Sequence, residues 1–139
     1  MQLLDHVSIT VPDLDAARPF YDAIMAALGA AKAYDRPDGL GYGERCGPQA
    51  AGHTYLSVFL SAAPNAEPRR HWCFKAASRD AVDAFHRAAL RHGGRDEGAP
   101  AVRPAYHPHY YAAFVADPAG NRLEAVCHLP PDAAPAGAA

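Results

Sequence analysis

Two histidines and one glutamate are the residues of this chain whose types and placement suggest chemistry. His6 and His71 lie on predicted strands, on the face that also holds small polar groups, and Glu124 lies on the last predicted strand. Strands disfavour glutamate, and burying an unpaired carboxylate costs roughly several kcal/mol, so Glu124 either faces solvent or has a partner. Two neutral imidazoles and one carboxylate suit a divalent Fe, Mn, Co, Ni or Zn ion and leave positions open. The three residues therefore predict a metal site.

An internal repeat gives the two histidines equivalent positions. A shift of 65 residues aligns His6 with His71. The same shift aligns four more pairs, namely Asp13 with Ser78, Phe20 with Phe85, Met25 with Leu90, and Gly29 with Gly94. Because helix caps, helix faces and terminating glycines all coincide, we interpret the chain as a duplicated βαβββ unit. If two such units pair, both histidines point into one cavity and Glu124 joins them.

The first unit reads as a strand, a helix and three strands. Alternation predicts a strand over residues 3–11, and an apolar stripe predicts a helix to Leu28, capped by Asp13 or Asp15. Pro19 lies inside that stripe, so either the regular helix starts close to it or the first turn is distorted. Gly29 ends the helix. The remaining predicted strands are 30–35, 40–46 and 53–61.

The second unit repeats this order. A strand over 71–77 precedes a helix that is capped by Ser78, and its buried stripe is predicted to be Val82, Phe85 and Ala89, with Leu90 beside them. A strand over 95–102 follows. The last two strands, 110–116 and 123–127, form a hairpin around residues 117–121, Asp-Pro-Ala-Gly-Asn, whose proline, glycine and asparagine favour a turn.

Length and composition predict one domain over residues 1–128, with units 1–61 and 70–128, a linker over 62–69, and a Pro/Ala-rich tail over 129–139.

The formal net charge of −2 and the lack of a basic block exclude nucleic acid as a partner. No apolar run approaches the ~20 residues that span a bilayer, and no signal peptide is visible, so no membrane partner is expected. Three scattered cysteines argue against a disulfide framework and favour the cytoplasm.

Three segments together resemble a known superfamily. They are residues 4–11 (Leu-Asp-His-Val-Ser-Ile-Thr-Val), the helix segment Phe20-Tyr21, and residues 117–124 (Asp-Pro-Ala-Gly-Asn-Arg-Leu-Glu). This pattern resembles the vicinal oxygen chelate superfamily, which includes glyoxalase I, bleomycin-resistance proteins and extradiol dioxygenases. The resemblance implies an α+β fold of two paired βαβββ modules, which form a cupped mixed sheet around a metal ion. It also implies His6, His71 and Glu124 as ligands, and a homodimer whose chains share modules.

The chain departs from glyoxalase I at one ligand. That enzyme usually has a glutamate on the last strand of its first module, where this sequence has Phe59, or Ser57 after a two-residue slip. Glu44 is the nearest upstream carboxylate, but it falls on a different predicted strand. We expect Ser57 and Phe59, with Tyr55 on the same face, to contact the substrate, together with Tyr111 of the last module.

A second departure concerns the extradiol dioxygenases. Their signature has a tyrosine where this chain has Phe114, and its histidine falls on His107. Imidazole titrates near neutral pH, so His107 is our candidate general base beside the metal. The alternative is that the aromatic side chains of residues 106–111 pack on the sheet and that the histidines there are exposed.

These observations favour an enzyme that acts on a small molecule with two adjacent oxygens. We expect a metal-dependent lyase or isomerase of the glyoxalase (lactoylglutathione lyase) kind, because a metal polarises a carbonyl and stabilises an enediolate-like charge. The alternatives are an extradiol-type Fe(II) dioxygenase and a non-catalytic drug-binding protein that stacks a planar ligand on Tyr and Trp side chains.

Overall fold

The chain folds into two successive units with the same order of elements. The computed structural model describes residues 3–63, 67 and 69–132. Residues 64–66 and 68 of the predicted linker, and 133–139 of the predicted tail, lie outside the described residues. The first unit consists of β1 (His6–Val11), α1 (Leu14–Ala27), β2 (Lys32–Arg36), β3 (Gly39–Gly43) and β4 (Tyr55–Leu60). The second consists of β5 (His71–Lys75), α2 (Arg79–Arg91), β6 (Arg95–Val102), β7 (Tyr111–Ala116) and β8 (Arg122–Cys127).

Each unit forms its own four-stranded mixed sheet. The strand order is β1-β4-β3-β2 in the first sheet and β5-β8-β7-β6 in the second. In both sheets the first strand pairs in parallel with the last strand of its unit, and the other pairs are antiparallel. The predicted duplication and the α+β class are therefore confirmed. No helix in the described ranges is long and apolar enough to cross a membrane.

Helix α1 begins after the predicted cap Asp13 and ends at Ala27, one residue before the predicted end at Leu28. The Asp13 side chain accepts hydrogen bonds from the backbone N–H groups of Asp15 and Ala16, and Gly29 follows the helix with φ of 77°. Pro19 is the sixth residue of the helix, which continues through it. Since proline has no N–H, the Asp15 carbonyl loses its usual partner one turn later.

Helix α2 confirms the predicted cap and most of the predicted stripe. Ser78 accepts a hydrogen bond from the N–H of Ala81, and Val82, Phe85 and Ala89 are fully buried. The placement of Leu90 beside this stripe is wrong, because its side chain is 43% exposed. Successive residues turn by about 100° around a helix, so Leu90 points away from the face that Ala89 buries.

The two units pack through their helices and through the predicted hairpin turn. The Tyr21 hydroxyl of α1 donates a 2.5 Å hydrogen bond to Asp117 Oδ2, and Asn121 Nδ2 donates a 3.1 Å bond to the Thr10 carbonyl of β1. Gly94 after α2 lies so close to Phe20 that a Cβ there would be 2.6 Å from the ring. The turn therefore connects the units as well as joining two strands.

Candidate metal centre

Glu124 is buried on the open face of the second sheet, the face away from α2. Strand β8 lies between β5 and β7, with Glu124 opposite Cys73 on one side and Phe114 on the other. Only 2% of the glutamate is exposed. Its Oε2 is 3.2 Å from His71 Nε2, and its Oε1 accepts a 2.5 Å hydrogen bond from the Tyr110 hydroxyl. Glu124 is therefore a buried carboxylate with partners and does not face solvent.

The spacing of His71 and Glu124 fits two ligands of one metal ion. Ligand atoms lie about 2.0–2.2 Å from a divalent metal, so adjacent ligands at 90–110° are roughly 2.9–3.5 Å apart. The 3.2 Å between His71 Nε2 and Glu124 Oε2 falls inside that range. One imidazole nitrogen and one carboxylate oxygen are also donors that Zn, Fe(II), Co, Ni and Mn accept. The pair thus supplies two of the three predicted ligands in a suitable arrangement.

Tyr110 and Cys73 surround this carboxylate, and sequence reasoning gave neither a role. Desolvation and the hydrogen bond to Glu124 raise the pKa of the Tyr110 phenol well above its ordinary value. Desolvation, together with the charge of Glu124, raises the pKa of the Cys73 thiol to about 12. Both groups therefore carry their protons at neutral pH, and Tyr110 donates to the carboxylate. Strand alternation was the available signal, because Tyr110 is four residues from Phe114 and shares its face.

Tyr111, for which we expect a substrate contact, contacts helix α2 in the single chain. Its hydroxyl donates a 2.6 Å hydrogen bond to Asp83 of α2, and the Arg79 guanidinium lies 4.9 Å from its ring centroid. Neighbouring residues of a strand point to opposite faces, so Tyr111 packs on the helix while Tyr110 lies beside Glu124.

His107, the candidate base, contacts the ring of Tyr110, whose hydroxyl bonds to Glu124. Its ring meets the Tyr110 ring edge-on, with centroids 5.5 Å apart. Its Nδ1 accepts a 3.0 Å hydrogen bond from the His109 N–H, so the proton of the neutral ring is on Nε2 and points to His128 Nδ1 at 2.8 Å. Both ring nitrogens thus have hydrogen-bond partners, and the ring packs against the side of Tyr110.

His6 is oriented by a carboxylate in the first unit. Its Nδ1 lies 2.6 Å from Asp5 Oδ1, and its ring stacks on Tyr55 with centroids 4.9 Å apart. The hydrogen bond from His6 lowers the pKa of Asp5, so this carboxylate is charged and accepts the proton on Nδ1. The lone pair of His6 is then on Nε2. A carboxylate that orients a histidine in this way is the usual outer partner of a metal ligand.

The other expected substrate contacts share this face. Tyr55, Ser57 and Phe59 of β4 lie opposite His6, Ser8 and Thr10 of β1 in the register. Ser57 is buried and accepts a 2.6 Å hydrogen bond from the Tyr34 hydroxyl, whereas Phe59 is 38% exposed. Glu44 adds no carboxylate here, because it follows β3 and its Oε2 lies 2.7 Å from His53 Nδ1.

The chain therefore has two half-sites on separate sheets. One holds His71 and Glu124, and the other holds His6 with the polar and aromatic side chains of β4. Within residues 3–63, 67 and 69–132, no three His, Cys, Asp or Glu side chains lie close enough to hold a metal ion. The structure brings two predicted ligands together and leaves the third in the other unit.

A sequence profile described as Glyoxalase/Bleomycin resistance protein/Dioxygenase superfamily matches residues 3–125. The chain belongs to this superfamily. A glyoxalase/bleomycin resistance protein from Albidiferax ferrireducens T118 superposes with a TM-score of 0.77 at 26% identity, covering 90% of this chain and 98% of that one. A glyoxalase/bleomycin resistance protein/dioxygenase family enzyme from Burkholderia phytofirmans PsJN gives 0.65 at 18% identity, covering 90% and 98%.

A glyoxalase-related enzyme from Fulvimarina pelagi has the same fold, with a TM-score of 0.64 at 18% identity over 91% of this chain and 88% of that one. A comparison with curated proteins finds no match. The superfamily includes enzymes, and its members often bind a divalent metal ion. The resemblance stated from the sequence is confirmed for family and fold.

Proposed function

We propose that this protein is a metal-dependent, glyoxalase-like lyase or isomerase that acts on a small substrate with two adjacent oxygens. The observation that carries the proposal is the buried carboxylate of Glu124, held 3.2 Å from His71 Nε2 at the spacing of two metal ligands. Burying a carboxylate is costly unless cations or hydrogen-bond donors compensate it. A divalent cation between Glu124 and His71 supplies that compensation.

The proposed ligand set is completed by a second copy of the chain. His71 and Glu124 come from one subunit and His6 from its partner, in a homodimer. Asp5 orients His6 so that Nε2 is the ligating atom, and Tyr110 occupies Oε1 of Glu124, which leaves Oε2 for the metal. The site then has three protein ligands and open positions for substrate.

Two features of the surface support such a dimer. Among the described strands, β1 and β5 each pair with one neighbour only, so each presents an unpaired edge, and such edges readily pair with another chain. Both edges line one cavity of about 550 Å³. Most of its wall is apolar, including Leu3 and Leu4, which are 81% and 54% exposed in the single chain.

The chemistry follows from these positions. A bound divalent metal polarises the substrate carbonyl and stabilises the negative charge that develops on its oxygens. Tyr110 keeps the carboxylate of Glu124 fixed, and Tyr55 and Phe59 offer aromatic surface to the substrate. Ser57 and Phe59 stand where glyoxalase I has a glutamate, so another group moves the proton. We assign this role to His107. Its Nδ1 takes the substrate proton once the hydrogen bond from the His109 N–H is broken.

An extradiol-type Fe(II) dioxygenase is the second candidate. Two histidines and one carboxylate form the ligand set of non-haem Fe(II) oxygenases. The phenol that Phe114 lacks is replaced by the Tyr110 hydroxyl, which lies on the same face and contacts Glu124. A non-catalytic drug-binding role has less support, since stacking a planar ligand does not require the buried carboxylate of Glu124 beside His71.

Metal analysis of the purified protein tests the metal site. We expect wild type, prepared without added metal, to hold one divalent ion per chain, and His71→Ala and Glu124→Gln to lose it. His53→Ala is the matched control, because it removes a histidine that pairs with Glu44 outside the site. Equal metal content in wild type and His71→Ala would refute the proposal. With metal present, turnover of hemithioacetals or of catechols with oxygen uptake separates the two enzyme classes.

A further inference from the structure

A second cavity, of about 510 Å³, opens directly beside the proposed metal ligands. It is lined by Arg69, His71, Glu97, Phe114 and Arg122. Its volume is that of a site for a small molecule. His71 belongs both to this cavity and to the pair with Glu124, so a molecule bound here lies next to the metal position.

The charged side chains of this cavity are mainly cationic. Arg122 is opposite His71 in the β5–β8 register, so it projects from the same face as His71 and Glu124. Arg69 lies two residues before His71. The single carboxylate in the lining, Glu97, lies 3.9 Å from the Arg95 guanidinium, which offsets its charge. Guanidinium groups stay protonated at all working pH values, so Arg69 and Arg122 bring two positive charges to the lining.

The floor of the same cavity is apolar. Phe114 is half-buried and lies opposite Glu124 in the β7–β8 register. The guanidinium group of Arg103 lies over the Phe114 ring, with its carbon 5.3 Å from the ring centroid. The cavity thus combines an aromatic floor, two guanidinium groups and an imidazole beside a carboxylate.

We propose that the ligand of this site is a small aromatic or apolar carboxylate, whose carboxylate group binds Arg69 and Arg122. Guanidinium groups bind carboxylates through paired, charge-assisted hydrogen bonds. Phe114 contacts the carbon skeleton, and the oxygen next to the carboxylate points towards His71 and Glu124. That this ligand is a substrate rests on the proposed function. If it is, the substrate class narrows to 2-oxo or 2-hydroxy acids.

Binding of phenylglyoxylate and of its methyl ester tests the proposal. The two probes share the phenyl ring and the adjacent carbonyl, but only the first carries a charge. Calorimetric titration of chelator-treated wild type is expected to show binding of the acid at least tenfold tighter than of the ester. Arg69→Gln and Arg122→Gln should each weaken acid binding by about tenfold and leave ester binding unchanged.

Two further variants test whether the charge of the lining determines the affinity for the acid. Glu97→Gln removes the negative charge of the lining and should strengthen acid binding about threefold, whereas Arg91→Gln, at the exposed end of α2, should change nothing. The proposal is overturned if acid and ester bind equally, if neither binds, or if the arginine variants bind the acid as wild type does. Because the titration uses metal-free protein, its failure is distinct from failure of the metal analysis.

Discussion

Mixing two site variants tests whether the metal ligands are shared between subunits. His6→Ala removes the ligand of the first module, and Glu124→Gln removes one from the second. Each site of the proposed dimer takes His6 from one subunit, and His71 and Glu124 from the other. A homodimer of either variant therefore has two defective sites. A heterodimer has one complete site and one that lacks both residues.

The expected metal content follows from counting these sites. Equal amounts of two subunits that exchange at random place about half of the dimers in the mixed form. Each mixed dimer has one complete site for its two chains. The mixture should therefore bind about one quarter of the metal that wild type binds, whereas either variant alone should bind almost none.

The assay combines native mass spectrometry with elemental analysis. The variants are mixed and left to exchange, then dialysed against a chelator at a concentration that strips each variant alone but not wild type. Native mass spectrometry verifies that mixed dimers have formed. The matched control mixes His71→Ala with Glu124→Gln, whose lesions lie in the same half-site, so that no mixed dimer has a complete site. Metal recovery no greater than in this control would refute the shared site.

Two other predictions concern the surroundings of the buried carboxylate in metal-free protein. Tyr110→Phe removes a hydrogen-bond donor from it and should lower the free energy of unfolding by about 1–3 kcal/mol in urea denaturation. Tyr111→Phe frees a carboxylate that water can reach and should cost less, about 0.5–1.5 kcal/mol; equal costs would argue against the role of Tyr110. The Cys73 thiol has a pKa of about 12, so only about one part in ten thousand is thiolate at pH 8. Its alkylation by iodoacetamide, followed by mass spectrometry, should rise about tenfold per pH unit up to that pKa. Alkylation at pH 8 as fast as that of free cysteine would contradict this value.

Local features of the fold could be predicted because local residues cause them. Asp13 and Ser78 cap their helices through side-chain bonds to N–H groups two or three residues later. The 65-residue repeat correctly predicted two βαβββ units, since each unit encodes its own periodicity. The predicted strand over 40–46 was too long, because β3 ends at Gly43, where φ is 95° and a Cβ would lie 2.5 Å from the Thr54 carbonyl oxygen.

The candidate site could be predicted only in part. Glu124 was recognised because a glutamate among apolar strand residues needs a partner, and the structure supplies His71 and Tyr110. Tyr110, which donates to Glu124, received no role of its own from the sequence, although its spacing of four residues from Phe114 places both side chains on one face. The register of β7 against β8 then shows that this face is also the face of Glu124, because Phe114 lies opposite it.

By itself, the sequence determined the two modules, their caps and turns, and the equivalent positions of the two histidines, because these depend on interactions over a few residues or on the internal repeat. The tertiary structure decided how the modules meet. Helix packing and the bonds of Tyr21 and Asn121 join them through the hairpin turn, and this arrangement leaves His6 on one sheet and His71 with Glu124 on the other. Such long-range packing has no signature in local spacing, and it is the reason that a second chain enters the proposed site.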